Sequence, residues 1–207
     1  MIERVVMIKP LAQYGKRKHM PSIMPAFADF PNEAEIIGRL LAGYTNLEIG
    51  LMNCVQMVRL DFDTVLKAMF RARGETARID IADAFGRHYY DGLKLGTEFS
   101  MAISATRYCL RIRNQYAHCA WWDDRSGKLA FANLEDIAKG NTLLTDLATL
   151  PTHHIDVPIL ADQENFFVYV DRLLSAVNYE GRVRAGTLKS NAISIPPHAK
   201  QPLMRCP

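Results

Sequence analysis

The chain has 207 residues, 49% of them hydrophobic and 23% charged, which suits one globular domain with a real core and excludes a chain too polar to fold. No apolar run approaches the roughly 20 residues that cross a bilayer, and Met1–Lys9 is too short and too charged for a secretory signal, so a cytoplasmic chain with no membrane partner is expected. The net charge of +3 is unevenly spread: residues 1–20 carry +4 and residues 181–207 carry +5, which leaves −6 for residues 21–180.

Residues 1–31 contain Pro10, Pro21, Pro25 and Pro31 around a basic patch, which predicts an N-terminal arm in place of a long helix. Such an arm either holds a polyanion by counterion release or is a solvated end. Asn32 with Glu35 three residues on reads as a capping box, opening a helix that runs to about Leu60 with Ile37, Leu41, Tyr44, Leu51, Val55 and Val58 at helical spacing. Asp61 or Asp63 caps a second helix, from about Thr64 to Arg73, which Gly74 stops. A third spans about Glu75 to Leu95 and ends near Gly96. A fourth starts at about Thr97.

After His118 the pattern changes. Residues 121–131 have strand-like ends around a turn-rich centre, predicting a β-hairpin within about 121–135. Residues 133–150 read as a short helix or irregular cover, and residues 151–157 as a further extended piece. A last helix is expected from about Ile159 to Tyr179, followed by a loose, basic, Pro-containing tail over residues 181–207. The expected fold is mainly α: a bundle of four to five helices over residues 32–180, with a small β-hairpin inserted after the fourth helix.

Cys54, Cys109, Cys119 and Cys206 form no C-x-x-C pair, so free thiols are expected and neither a disulfide framework nor a structural zinc site. His153-His154 invites a metal reading, but adjacent side chains of an extended segment point opposite ways, so no metal and no cofactor are expected. Asp80, Asp83 and Asp91, near His88, read as a solvated helix face. Phosphate loops, dinucleotide fingerprints, nucleophile elbows and kinase motifs are absent.

The chemistry concentrates in Arg113-Asn114-Gln115-Tyr116-Ala117-His118. On a 100° wheel, Arg107, Arg111, Asn114 and His118 share a basic, polar stripe, beside an apolar face of Phe99, Ala102, Ile103, Leu110 and Ala117. Arg113 falls in the middle of that apolar face, where a guanidinium, which keeps its charge, needs an acid, a phosphate or water. Glu48 sits equally misplaced in the apolar stripe of the first helix, so a Glu48–Arg113 pair is expected, either orienting the arginine or fixing helix register. His118 has the intrinsic pKa for proton transfer, Arg113 the fork for phosphate oxygens and Asn114 an amide to orient substrate. Trp121 and Trp122 either stack on RNA bases or seal the bundle end against the hairpin.

The spelling of Arg113, Asn114 and His118 resembles the R-N-x-x-x-H signature of HEPN domains, over about residues 32–120 and the last helix. The resemblance implies an up-and-down bundle, usually a homodimer, whose motif helices face one another across a composite cleft. It also implies a metal-independent endoribonuclease that leaves 2′,3′-cyclic phosphate ends. His118 would move protons, Arg113 and Asn114 would hold the scissile phosphate, and Glu48, Arg107 and Arg111 would support them. A setting in stress response or phage defence, with an antitoxin or defence-system partner, is implied in the same way. Two other expectations stand beside it: a non-catalytic HEPN module that binds RNA or a protein partner, and a helical scaffold in which Arg113 and His118 hold the bundle end.

Overall fold

The computed structural model describes residues 24–140 and 150–207; most of the basic N-terminal arm, residues 1–23, lies outside the described residues. The described chain is mainly helical. In order it forms α1 (Ala26–Asp29), α2 (Pro31–Arg59), α3 (Phe62–Phe70), α4 (Glu75–Gly92), α5 (Gly96–Ala117), β1 (Cys119–Asp123), β2 (Leu129–Asn133), α6 (Leu134–Lys139), β3 (His153–Ile155) and α7 (Val157–Arg184). No described helix is long and apolar enough to cross a membrane.

Local chemistry explains where these elements start and stop. Helix α2 begins at Pro31, so Asn32 lies inside the helix and does not cap it; proline suits a first helical position, where its fixed φ helps and its missing N–H costs nothing. Asp61 does cap α3, accepting a hydrogen bond from the Thr64 amide at 3.2 Å. Gly74, expected to stop α3, instead stands before α4 at φ 83°, and α3 has already ended at Phe70. Helix α4 stops at Gly92, and Arg184 caps the chain behind it by donating to the carbonyls of Leu93 (3.0 Å) and Lys94 (2.8 Å). Gly96 opens α5.

The described residues divide into two compact units. One, within Leu40–Arg113 and Glu164–Gln201, is helical and buries Tyr44, Leu47, Leu51, Val55, Val65, Met69, Ile79, Tyr90, Phe99, Ile103, Val170, Leu173 and Val177. Helix α4 meets α5 closely at Gly86, where an added Cβ would stand 2.4 Å from Phe99 Cζ, and that ring stacks on Tyr90 at 4.4 Å. The Tyr90 hydroxyl donates to the Cys54 carbonyl at 3.1 Å.

The other unit, within Met1–Arg39, Asn114–Gln163 and Pro202–Pro207, holds the sheet. The expected hairpin is present, and β3 pairs antiparallel with β2 to make a three-stranded sheet in the order β1-β2-β3. Trp121 opposes Phe131 and Trp122 opposes Ala130. The turn between β1 and β2 uses Arg125 and Gly127 at positive φ, with the carboxylates of Asp123 and Asp124 accepting from the amides of Arg125 and Ser126.

The tail departs from expectation. Helix α7 continues through Gly181 to Arg184, and the last residues are tied down. The Cys206 amide donates to the His154 carbonyl at 2.9 Å, and the amides of Gln115 and Gln163 donate to the carbonyls of Met204 and Leu203, both at 2.7 Å.

Candidate functional site

Helix α5 carries the motif, and its six residues divide between the two units after Arg113. In the helical unit, Arg113 is 28% exposed and its Nη2 lies 3.4 Å from Glu75 Oε1. Glu48 is buried as its apolar stripe demands, but both its oxygens accept from Arg78 Nη1 at 2.9 Å. The expected Glu48–Arg113 pair is therefore exchanged for two others, because a wheel shows which way a side chain points and not which neighbour meets it. A signal for the correct partners was present: Glu75 and Arg78 lie three residues apart on α4, on one face beside buried Ile79.

The surroundings of Arg113 are tightly charged. Burial raises the Tyr44 hydroxyl far above its ordinary pKa, the carboxylates of Glu48 and Glu75 push the same way, and Arg113 opposes them. Among the described residues the buried hydroxyl has no hydrogen-bond partner, nor has Nε of Arg78, whose guanidinium stands 5.1 Å over the Phe70 ring. Two acids and the Arg113 guanidinium thus act on a phenol that keeps its proton.

The rest of the expected basic stripe is largely answered by acids. Arg107 Nη2 lies 2.7 Å from Asp80 and 3.6 Å from Asp83, and Asp83 also takes Arg87 at 2.7 Å. Asp80 and Asp91 are exposed as a solvated face would be, while Asp83 is an ion-pair hub. Arg111 is exposed and stands 4.6 Å over the Tyr108 ring. Ala117, assigned to the apolar face, is exposed.

In the sheet unit, Asn114 is half-buried and His118 is the first residue past the helix, so β1 and α6 set its place as much as the helix does. Its side chain is 43% exposed, and Nδ1 lies 3.2 Å from Glu135 Oε1. Asn133 caps α6 by accepting from the amides of Glu135 and Asp136, which sets the backbone that carries Glu135. Nε2 of His118 has no protein partner among the described residues. Between Asn114 and His118 the side chains are structural: Gln115 holds the Met204 carbonyl, and the Tyr116 hydroxyl donates to Gln163 Oε1 at 2.6 Å.

Neither tryptophan is open to a stacked base, which corrects the RNA-stacking expectation. Trp121 is buried among Phe27, Tyr116 and Phe131, with ring centroids 5.3–5.7 Å apart. Trp122, facing the other way on the strand, is buried with Ala130, Ala132 and Ile137. The sheet is covered on both faces, so both indoles seal it.

The four cysteines are free thiols, two buried and two half-buried. Burial pushes the Cys54 thiol up to about 12; it pushes Cys119 up to about 12 as well, with Asp136 adding to the effect, so neither is an activated nucleophile. The adjacent histidines find different partners: His154 Nε2 lies 2.7 Å from Asp124, and His153 lies 2.5 Å from Arg205 Nη1. Burial, then Arg205 and His154, hold His153 below the ordinary histidine value. Among the described residues no three His, Cys, Asp or Glu side chains gather as metal ligands would. No protein-family model matches the chain, and neither a curated protein nor a solved structure is detectably similar to it.

Proposed function

We propose that the chain is a HEPN-type endoribonuclease, its helices forming an up-and-down bundle, that acts as a homodimer and cuts RNA without a metal ion. The observation that carries the reading is the exposed imidazole of His118, held through Nδ1 by Glu135, with no partner for Nε2 among the described residues. A carboxylate on one ring nitrogen orients the other for proton transfer and stabilises the imidazolium. His118 of one chain removes the proton of the 2′-hydroxyl as that oxygen attacks phosphorus. The same residue of a second copy gives a proton to the departing 5′-oxygen. The P–O5′ bond breaks, leaving a 2′,3′-cyclic phosphate and a 5′-hydroxyl. Arg113 offers its fork to the charged phosphorane, and Asn114 positions the substrate. The exposure of His118 favours this over a scaffold in which the histidine only seals the bundle.

A second reading is a non-catalytic module that binds RNA or a protein partner, such as an antitoxin, through the same surface. It is favoured by Glu135, whose charge beside His118 opposes a phosphate. Purified protein incubated with mixed RNA in EDTA, beside His118→Ala, separates the two. Cleavage to cyclic-phosphate ends by the wild type, lost by at least 100-fold in the variant, supports the enzyme. RNA retained in a gel shift but uncut supports the module, and equal cleavage by both proteins assigns the activity elsewhere.

A further inference from the structure

The helical unit contains a cavity of about 370 Å³ between the α2 segment around Gly50 and Asn53 and the C-terminal part of α7 from Leu174 on. Its size lies at the small end of the range of about 300–1,000 Å³ for small-molecule sites. Gly50 lets the helices close at its base, since an added Cβ there would come 3.3 Å from Leu174. The buried side chain of Leu174 and the half-exposed Leu188 give it apolar walls, and Tyr179, 45% exposed, stands on its lining as an open aromatic ring.

Its charge is one-sided. Among the described residues the lining contains one cation, Arg182, and no acid. Asn178, buried, fixes the guanidinium by accepting from Nε at 2.7 Å. The four remaining N–H donors on Nη1 and Nη2 have no protein acceptor among the described residues. Glu180, the nearest acid in sequence, is taken by Arg184 and Asn191. The chain then folds back on the same residue: the hydroxyl and amide of Thr187 and the amide of Leu188 all donate to the Arg182 carbonyl, at 2.9–3.2 Å. That triple cap satisfies the carbonyl whose partial charge would otherwise repel an anion at this helix end.

We propose that this cavity is a binding site for a small organic oxyanion, a carboxylate or phosphate monoester with an apolar or aromatic body. The planar fork of Arg182 binds the anionic head through paired hydrogen bonds. Asn53 and Ser175 supply further polar contacts, and Tyr179 packs on the body. None of these residues belongs to the R-N-x-x-x-H motif, so the site stands apart from the ribonuclease reading.

Isothermal titration of the full chain with phenyl phosphate, benzoate and the neutral analogue benzyl alcohol tests it. Saturable binding is expected for at least one anion, at least tenfold tighter than for the alcohol. A preference for phenyl phosphate identifies a phosphate ligand, and a preference for benzoate a carboxylate. Arg182→Gln should weaken the anion at least tenfold and leave the alcohol unchanged. Asn53→Trp, at an exposed α2 position, should block the cavity while Arg182 and its Asn178 contact stay intact, which covers the case in which Arg182→Gln does not fold. His118→Ala should bind as the wild type does. No saturable anion binding, anion and alcohol bound alike, or full affinity in a folded Arg182→Gln or in Asn53→Trp would overturn the proposal.

Discussion

Glu48 and Glu75 show how differently two carboxylates can behave in one charged cluster. Glu48 is 5% exposed and shares both oxygens with Arg78, so removing it strands a guanidinium whose Nε is already without a partner. Breaking such a pair from one side costs about 3 kcal/mol. Glu75 and Arg113 are each more than a quarter exposed and meet at 3.4 Å, so water replaces most of what the pair supplies and the cost is below about 1 kcal/mol. Glu48→Ala should therefore move the urea midpoint far more than Glu75→Ala, and similar losses would contradict the assignment of partners. Under the ribonuclease reading the order reverses for activity, because Glu75 and not Glu48 pairs with Arg113. The misplaced charges of Glu48 and Arg113 were legible in the sequence as charges in need of a partner. Which partner each one finds depends on how α2, α4 and α5 are turned, and no single helix records that.

Helices and strands were legible where their edges carry chemistry. The Asp61 cap, the start of α4 at Glu75, the hairpin and its turn follow from residue types whose preferences act within a few positions. Glycine was the ambiguous sign. Gly74 and Gly96 precede or open helices that they were expected to end, since the residue that stops one helix also admits the turn into the next. Gly86 has another role, and it yields a prediction opposite to the local rule. Alanine is the better helix former by about 1 kcal/mol, which favours Gly86→Ala in an isolated α4. In the folded unit the new methyl group would meet the Phe99 ring, which Tyr90 backs at 4.4 Å, so overpacking at about 1–3 kcal/mol prevails. Chemical denaturation should show net destabilisation; a raised midpoint would mean that the ring moves aside freely.

At the scale of the molecule, periodicity described one bundle with an insertion and two loose ends, whereas the described residues fall into two units, each assembled from segments far apart in sequence. The closing stretch explains why this was not legible. Gln115 and Gln163 bind it through the main-chain carbonyls of Leu203 and Met204, and a carbonyl is common to all residues, so Pro202 and Leu203 resemble any proline-rich tail. Deleting residues 202–207 would leave the fully buried Gln163 without an acceptor for its amide, at about 1–3 kcal/mol. Hydrogen exchange should then accelerate at β3 and the C-terminal turn of α5, while amides of α3 and α4 keep their protection. Uniform acceleration throughout would show that the two units unfold as one.

The letters between Asn114 and His118 change meaning in this light. A motif pattern treats the three intervening positions as blanks, open to any residue. Here Gln115 grips a carbonyl 89 residues away and Tyr116 is locked to Gln163, so two of the three blanks are constrained. Under the ribonuclease reading, substitutions screened across the hexapeptide would divide into two kinds of loss, chemical at the named letters and architectural at Gln115 and Tyr116. A variant library ranked by activity alone would confuse them.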